Sequence, residues 1–264
     1  MSVFVAEELS EVLNTKVVIG RINMGLLNRI IIDDVLLDDQ SGQEMLKVTR
    51  LSAKFDIMPF FKGKISISSV QLFGFNINLR KETPDSPPNF KFVLDAFASK
   101  DTVKKENSLD LRINSILIRR GRMSYHVLSE EETPGKFNAK HIQLQNIIAN
   151  ISLKALSKDS LNLGIKRLSL DEKASGFSLK KMSLKLVANN KQTNIDNFTI
   201  ELPETSLKLD TIHLEYDSLK AFDRFTEQVH FSFRTLPSQV TLKDISPFVP
   251  ILSHFKEPVT LDME

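Results

Sequence analysis

Apolar and polar residues alternate along most of this chain with a period of two, and the alternation breaks in one recurring way. Two apolar residues at alternate positions are followed by a gap of two residues and then by another alternate pair. The pattern reads Val17, Ile19, Ile22, Met24, then Ile30, Ile32, Val35, Leu37, then Leu46, Val48, Leu51, Ala53. Further copies are Ile65, Ile67, Val70, Leu72; Leu111, Ile113, Ile116, Ile118; Ile142, Leu144, Ile147, Ala149; Leu163, Ile165, Leu168, Leu170; Phe177, Leu179, Met182, Leu184; and Leu207, Leu209, Ile212, Leu214. Period two is the signature of a strand with one apolar face. A gap of two would move the apolar set to the opposite face. A β-bulge restores the face and bends the strand, and a tight turn that starts a new strand does the same. Gaps such as Ser68-Ser69 and Lys166-Arg167 are not turn dipeptides, so bulges are the preferred reading for most copies.

Helical patterns are few. They cover Val3 to Leu13, a short turn at Ile57 to Phe61, Phe90 to Ala98, Ser218 to Gln228 with Ser218 as N-cap, and Pro247 to Phe255. The extended segment Pro84 to Asn89 precedes the third, and Asp38 to Gly42 and Glu132 to Gly135 read as hairpin turns. The fold class expected is therefore mainly β: an elongated, curled antiparallel sheet, a repeating β-groove, with an apolar concave face and a few short helices. A dozen strands of nine residues would make a sheet of roughly 58 by 30 Å, with an apolar face on the order of 1,700 Å². Five short helices could cover at most roughly 750 Å² of it, whereas soluble monomers rarely expose an apolar patch beyond about 600 Å². The uncovered remainder has three solutions: a sandwich or barrel, a protein partner, or a trough filled with acyl chains. The floor of such a trough is assigned to Ile65, Ile67, Val70, Leu72, Ile113, Ile116, Ile118, Leu168, Leu170, Met182, Leu184, Leu186, Ile200, Leu209, Ile212 and Leu214.

Composition narrows the chemistry. With 35 Lys+Arg against 33 Asp+Glu, the 264-residue chain carries a net charge of only +2, which argues against phosphate neutralisation on a nucleic acid. Cysteine is absent and there are only 9 glycines, so thiol chemistry, disulfides and phosphate-cradling loops have little to work with. No Gly-x-Ser-x-Gly, His-Glu-x-x-His or Gly-x-Gly-x-x-Gly occurs. No enzyme, cofactor or metal is therefore expected. The five histidines, at 126, 141, 213, 230 and 254, read as scattered strand surface. The acidic stretch Asp38 to Glu44 has Gln40 where a calcium loop needs a ligand, and reads as a hairpin turn. Arg119, Arg120 and Arg122 read as a solvated sheet face, with lipid headgroups at a trough rim as the alternative. Lys104-Lys105 and Lys180-Lys181 read as solvated surface. Phe4, Val5, Leu9, Val12 and Leu13 form a stripe suited to capping a sheet end, and Phe90, Phe92, Val93, Leu94 and Phe97 read as packing over the floor rather than plugging an entrance. No apolar run approaches the ~20 residues that cross a bilayer, the N-terminus has no signal-peptide pattern, and Val259 to Glu264 alternates like a strand in mid-course.

One stretch is recognisable. Val17 to Gly20, Arg29 to Asp38, Gly42, Leu51, the run Phe55-Asp-Ile-Met-Pro59-Phe-Phe-Lys-Gly63-Lys-Ile65, and Ser69 to Gly74 follow one another in an order that resembles the amino-terminal part of the AsmA-like proteins. The nearest likeness is to the TamB, or translocation and assembly module, subfamily of Bacteroidetes-type bacteria. The likeness is good over residues 3 to 125 and holds at pattern level beyond. It implies an inner-membrane anchor just before the N-terminal helix and a periplasmic β-taco with an apolar interior. It also implies a role in outer-membrane biogenesis, either conducting phospholipid between the two membranes or assisting outer-membrane protein assembly and secretion by strand pairing. The organisation that follows is a helix over 1–14 after an anchor outside the chain, a first β-groove unit over 15–80, a linker and helix over 81–108, and a continued groove over 109–264 that is cut before its C-terminal end. The partners implied are phospholipid acyl chains, the inner membrane through the missing anchor, and an outer-membrane assembly protein through the missing C-terminal part, with no nucleic acid.

Overall fold

In the computed structural model, which describes residues 2–26, 28–55, 67–98, 114–156 and 160–261, the alternating segments build one open, curled sheet of 13 strands. They are β1 (Val17–Gly25), β2 (Arg29–Asp38), β3 (Glu44–Phe55), β4 (Ile67–Lys81), β5 (Ser115–Val127), β6 (His141–Leu156), β7 (Ser160–Glu172), β8 (Ser178–Asn189), β9 (Gln192–Glu201), β10 (Ser206–Tyr216), β11 (Val229–Thr235), β12 (Ser238–Val240) and β13 (Val259–Leu261). The first ten lie side by side in chain order. β11 and β12 both border β10, and β13 borders β12. Every pair is antiparallel except β4 and β5, which run parallel. That step forces the chain to cross back from Lys81 to Ser115, and the crossover carries the helix α2 (Lys91–Ala98).

At most of the two-residue gaps the ladder is interrupted, and the interruptions line up. Moving from strand to strand, the pairing skips Gly20 opposite Asp34, Asp34 opposite Thr49, and Thr49 opposite Gly74. The line continues through Arg120 in β5 and Asn146 in β6 to the 180–181 pair in β8. A second line runs through Lys166-Arg167, Asn197 and Asp210. Asp34, Arg120, Asn146 and Asn197 have φ between 53° and 57°, and Gly74 has φ 63°. A left-handed backbone costs a non-glycine residue roughly 1–2 kcal/mol, so these creases are held open against local strain by what packs beside them. Glycine serves where a side chain would not fit. A Cβ on Gly74 would meet Thr49 Oγ1 at 2.6 Å, and one on Gly121 would meet the Phe75 ring at 2.4 Å.

The crease in β4 and β5 falls elsewhere than the repeat suggested. It lies at Phe73-Gly74 and Arg119-Gly121, so the phase of those two copies is corrected. The gap at Ser68-Ser69 is a separate bulge, with Lys54 opposite Ser69 and Phe55 opposite Ile67. Residues from both sides of the first crease, Val35, Leu46, Ile77 and Met123 on one side and Leu51, Leu72 and Ile118 on the other, pack against Val48, Phe75 and Ile147. The bulges therefore keep one apolar face continuous through the bend.

Cover lies mostly on one side of this first crease. The helix α1 (Ser2–Leu13) and the crossover place Ala6, Leu13, Phe90, Phe92, Val93 and Ala96 against Val17, Ile19, Leu37 and Met45. Phe248, after the 3-10 turn Leu242–Ile245, packs between Phe137 and Phe177, with ring centroids 4.8 and 5.0 Å away. Leu94 of α2 is exposed, and the side chain of Phe97 lies outside the described residues, as does the Ile57 to Phe61 turn. The pattern over 218–228 forms the 3-10 turn Leu219–Arg224 and the short helix α3 (Phe225–Gln228), and Ser218 makes no side-chain cap. The last helical pattern shrinks to the 3-10 turn Pro250–His254 because Pro250 can only start a turn.

Candidate functional site

The apolar face beyond the first crease is organised in rows that run across the strands. One row passes through Ile22, Ile32, Leu51, Leu72, Ile118, Ala149, Leu168, Met182, Ile200 and Leu207, each paired with the next from β1 to β10. A second runs through Met24, Ile30, Ala53, Val70, Ile116, Ile151, Ile165 and Leu184. A third links Leu153, Leu163, Leu186, Ile195, Ile212 and Phe233. No polar residue interrupts any row. At about 4.8 Å between strands, the first row is roughly 43 Å long.

The sixteen residues assigned to the floor can be placed on this map. Ile65 and Ile113 lie outside the described residues. Leu72, Ile118, Leu168, Met182 and Ile200 stand in the first row, Val70, Ile116 and Leu184 in the second, and Leu186 and Ile212 in the third. Leu214 faces Phe231, Leu209 faces Phe198, Ile67 faces Phe55, and Leu170 faces Leu179 across the crease. All fourteen are half-buried. A second β layer would drive large aliphatics below a tenth exposure, as happens to Val48 and Phe75 at the crease. Among the described residues the floor is therefore a single-layer surface along most of its length.

Its ends differ from its middle. At the β1 end Met24 is 76% and Leu26 89% exposed. At the β10 end a cleft of about 460 Å³ opens between Leu161, Leu186, Ile195 and Leu214 of the sheet and Leu219 and Phe222 of the 3-10 turn. Tyr216, Phe222, Phe225, Phe231 and Phe233 follow one another there at centroid distances of 4.8 to 6.3 Å. Phe231 and Phe233, half exposed on β11, continue the floor to an edge that no further strand borders among the described residues.

The opposite face of the sheet is charged. Arg119 shares a shallow cleft with Arg21, Asp33, Asp34 and Arg50, and the Arg50 Nε donates to Asp33 Oδ1 at 2.6 Å, which holds the Asp33 carboxyl below its ordinary range. The Arg120 guanidinium lies 5.1 Å over the Phe73 ring. This basic cluster therefore sits on the outer surface and not on the apolar face.

Two buried carboxylates hold the rim of the covered side. Asp39, 2% exposed, accepts from Ser41, the Gln43 backbone and Asn89, and pairs with Arg80 at 2.7 Å. It closes the hairpin turn read from the sequence. Glu172, also 2% exposed, accepts from Ser175, Ala174 and the Gln143 backbone. Burial alone would raise both pKa values, but these hydrogen bonds outweigh it and hold both below their ordinary values. Asp171, next to Glu172, is lowered by hydrogen bonds from Asn146 and Ser178.

The histidines are not all scattered. His126 of β5 and His141 of β6 are direct cross-strand partners with Nδ1 atoms 3.1 Å apart. The spacing of 15 residues hid them, because the intervening loop is longer than a hairpin turn. The reading of every histidine as lone strand surface is corrected for this pair.

No protein-family model matches the chain, and no curated protein matches it. No helix among the described residues is long and apolar enough to cross a membrane.

Proposed function

We propose that the chain is a lipid-conducting module of an inner-membrane-anchored, periplasmic protein of the AsmA/TamB kind, carrying phospholipid between the inner and outer membranes in outer-membrane biogenesis. The observation that supports it is the floor: unbroken apolar rows, the longest roughly 43 Å, mostly half-buried, single-layered among the described residues and open towards both edges of the sheet. Acyl chains lie across the rows and headgroups stay in water along the open side. Each buried CH₂ is worth ~0.8 kcal/mol in either place, so passage from membrane to floor is close to neutral and needs no chemical step. The rows carry no polar group that would fix one headgroup or one chain, which suits sliding better than capture.

Native mass spectrometry of the purified chain tests this reading. Co-purifying phospholipid is expected, and Ile116→Asp and Leu184→Asp should each lose it and lose crosslinking to a photoactivatable acyl chain. A lipid-free chain that also fails to take up phospholipid from vesicles would sink the proposal.

A second reading has an observation of its own. β11 is an open edge with Phe231 and Phe233 beside it, the arrangement that β-augmentation uses. A scaffold that assists outer-membrane protein assembly would bind an extended strand peptide there. Peptide binding retained in Ile116→Asp but lost on placing proline at Ser232 favours this reading over lipid conduction.

A further inference from the structure

The β5–β6 pair carries a cluster that neither reading uses. The Nδ1 atoms of His126 and His141 face each other at 3.1 Å. The Nε2 of His141 lies 2.9 Å from the Glu130 carbonyl oxygen. A carbonyl only accepts, so this nitrogen carries the proton and, in the neutral ring, His141 Nδ1 presents a bare lone pair. Glu132, from the loop between the two strands, brings Oε1 to 3.9 Å from His126 Nδ1. One ligand atom from each of the three residues lies within 4.8 Å of the other two.

We propose that His126, His141 and Glu132 bind one divalent transition-metal ion, zinc in first place, which ties the 128–140 loop to the β5–β6 pair. Two imidazole nitrogens and one carboxylate oxygen suit zinc, whereas calcium and magnesium prefer all-oxygen sites. Tetrahedral zinc with Zn–N near 2.0–2.1 Å sets neighbouring ligand atoms about 3.3 Å apart. The histidine pair is already close to that spacing. Only Glu132, 62% exposed in its side chain, has to swing in, by roughly 1 Å. His141 is buried, and its far nitrogen is anchored on a backbone carbonyl, the support that orients metal-binding imidazoles. Lys140, next to His141 in the chain, is already paired with Glu130 at 2.5 Å. Without metal, a proton on His126 Nδ1 closes the pair as a hydrogen bond. With metal, that proton moves to His126 Nε2 and both rings bind as neutral ligands. Three protein ligands leave the fourth position to water.

Calorimetric titration of the chelator-treated chain with zinc chloride tests the site, with a thermal melt alongside. One ion per chain is expected, together with a rise in Tm. Glu132→Gln should weaken binding about tenfold or more, and His126→Ala should abolish both the saturable binding and the rise in Tm. Glu132 is exposed and His126 partly exposed, so both variants should keep the wild-type circular dichroism spectrum, and Glu132→Gln alone decides the matter if His126→Ala does not fold. Absence of saturable binding, or binding unchanged in either variant, would leave the pair as a plain hydrogen bond and overturn the proposal.

Discussion

The two sides of the first crease carry the same apolar alternation and end in different surroundings. On one side Val17, Ile19, Leu37, Met45, Val127, Leu179 and Leu202 are buried. On the other, the large aliphatics of all three rows are half-buried or exposed, from Met24 and Ile30 at one edge to Ile212 and Phe233 at the other. The strand pattern accounts for which face is apolar on both sides. It does not account for cover, which comes from α1, the α2 crossover, the 128–140 loop and the segment around Phe248, all of which settle on the first side. Among the described residues the floor has far less cover than the face beside it, and that contrast is what supports the proposed function.

The contrast breaks most visibly at its boundary. Phe75 sits at the crease with its ring against the Gly121 backbone, and Phe75→Ala should cost about 3–5 kcal/mol. Phe233→Ala, the same truncation at the uncovered edge, where the ring is 49% exposed, should cost under about 1 kcal/mol because little burial is lost. Urea unfolding of the two variants checks this. Equal losses would mean that the open side is packed as tightly as the crease and that no room remains for a chain to lie there.

The covered rim should also be the acid-sensitive part. Asp39→Asn can keep Oδ1 as the acceptor for Ser41 and Gln43, but it puts an NH2 donor where Oδ2 accepts from Asn89 and pairs with Arg80, so about 2–3 kcal/mol should be lost. Carboxyls held below their ordinary values add stability above those values and lose it as the pH falls towards the folded ones. The wild-type Tm should therefore drop as the pH falls below about 4.5 for Glu172 and 3.8 for Asp39, and Asp39→Asn should show a shallower drop. Scanning calorimetry between pH 6 and 3 reads both slopes, and identical slopes would remove the anchoring role of Asp39.

Much of this architecture was written in the spacing of apolar residues. The two-residue gap at Asp33-Asp34 or Asp210-Thr211 is where the chain bends, because only a bulge there keeps Ile32 with Val35, or Leu209 with Ile212, on one face. The parallel step between β4 and β5 was not legible for a related reason. Apolar-x-apolar-x-x-apolar-x-apolar reads the same in both directions, so Val70 and Leu72 match Ile116 and Ile118 equally well in either orientation. Strand length misled in the same place, since β4 runs on through Phe75 and Ile77 and its crease lies past the gap at Ser68. Alternation was enough to place ten of the assigned residues, among them Leu72, Ile116 and Leu186, in the three apolar rows. The His126–Glu132–His141 cluster was not, because it depends on how a 13-residue loop folds back and no local spacing encodes that.

The smallest effect concerns the crease itself. If the bend is set by the backbone at these positions and not by the side chains they carry, then Arg120→Gly should keep it. Glycine removes the left-handed strain at φ 56°, worth roughly 1–2 kcal/mol. It also gives up the stacking of Arg120 over Phe73, worth about 0.5–1 kcal/mol at an exposed site, and loses backbone entropy of about 0.5–1 kcal/mol relative to a side-chain-bearing residue. The terms nearly cancel, so the urea midpoint should move by less than the equivalent of about 1 kcal/mol, while lipid retention and the circular dichroism spectrum stay unchanged. A large loss from so exposed a side chain would mean that the arginine braces the bend from outside, and the two sides would then be joined by a side-chain contact and not by the bulge.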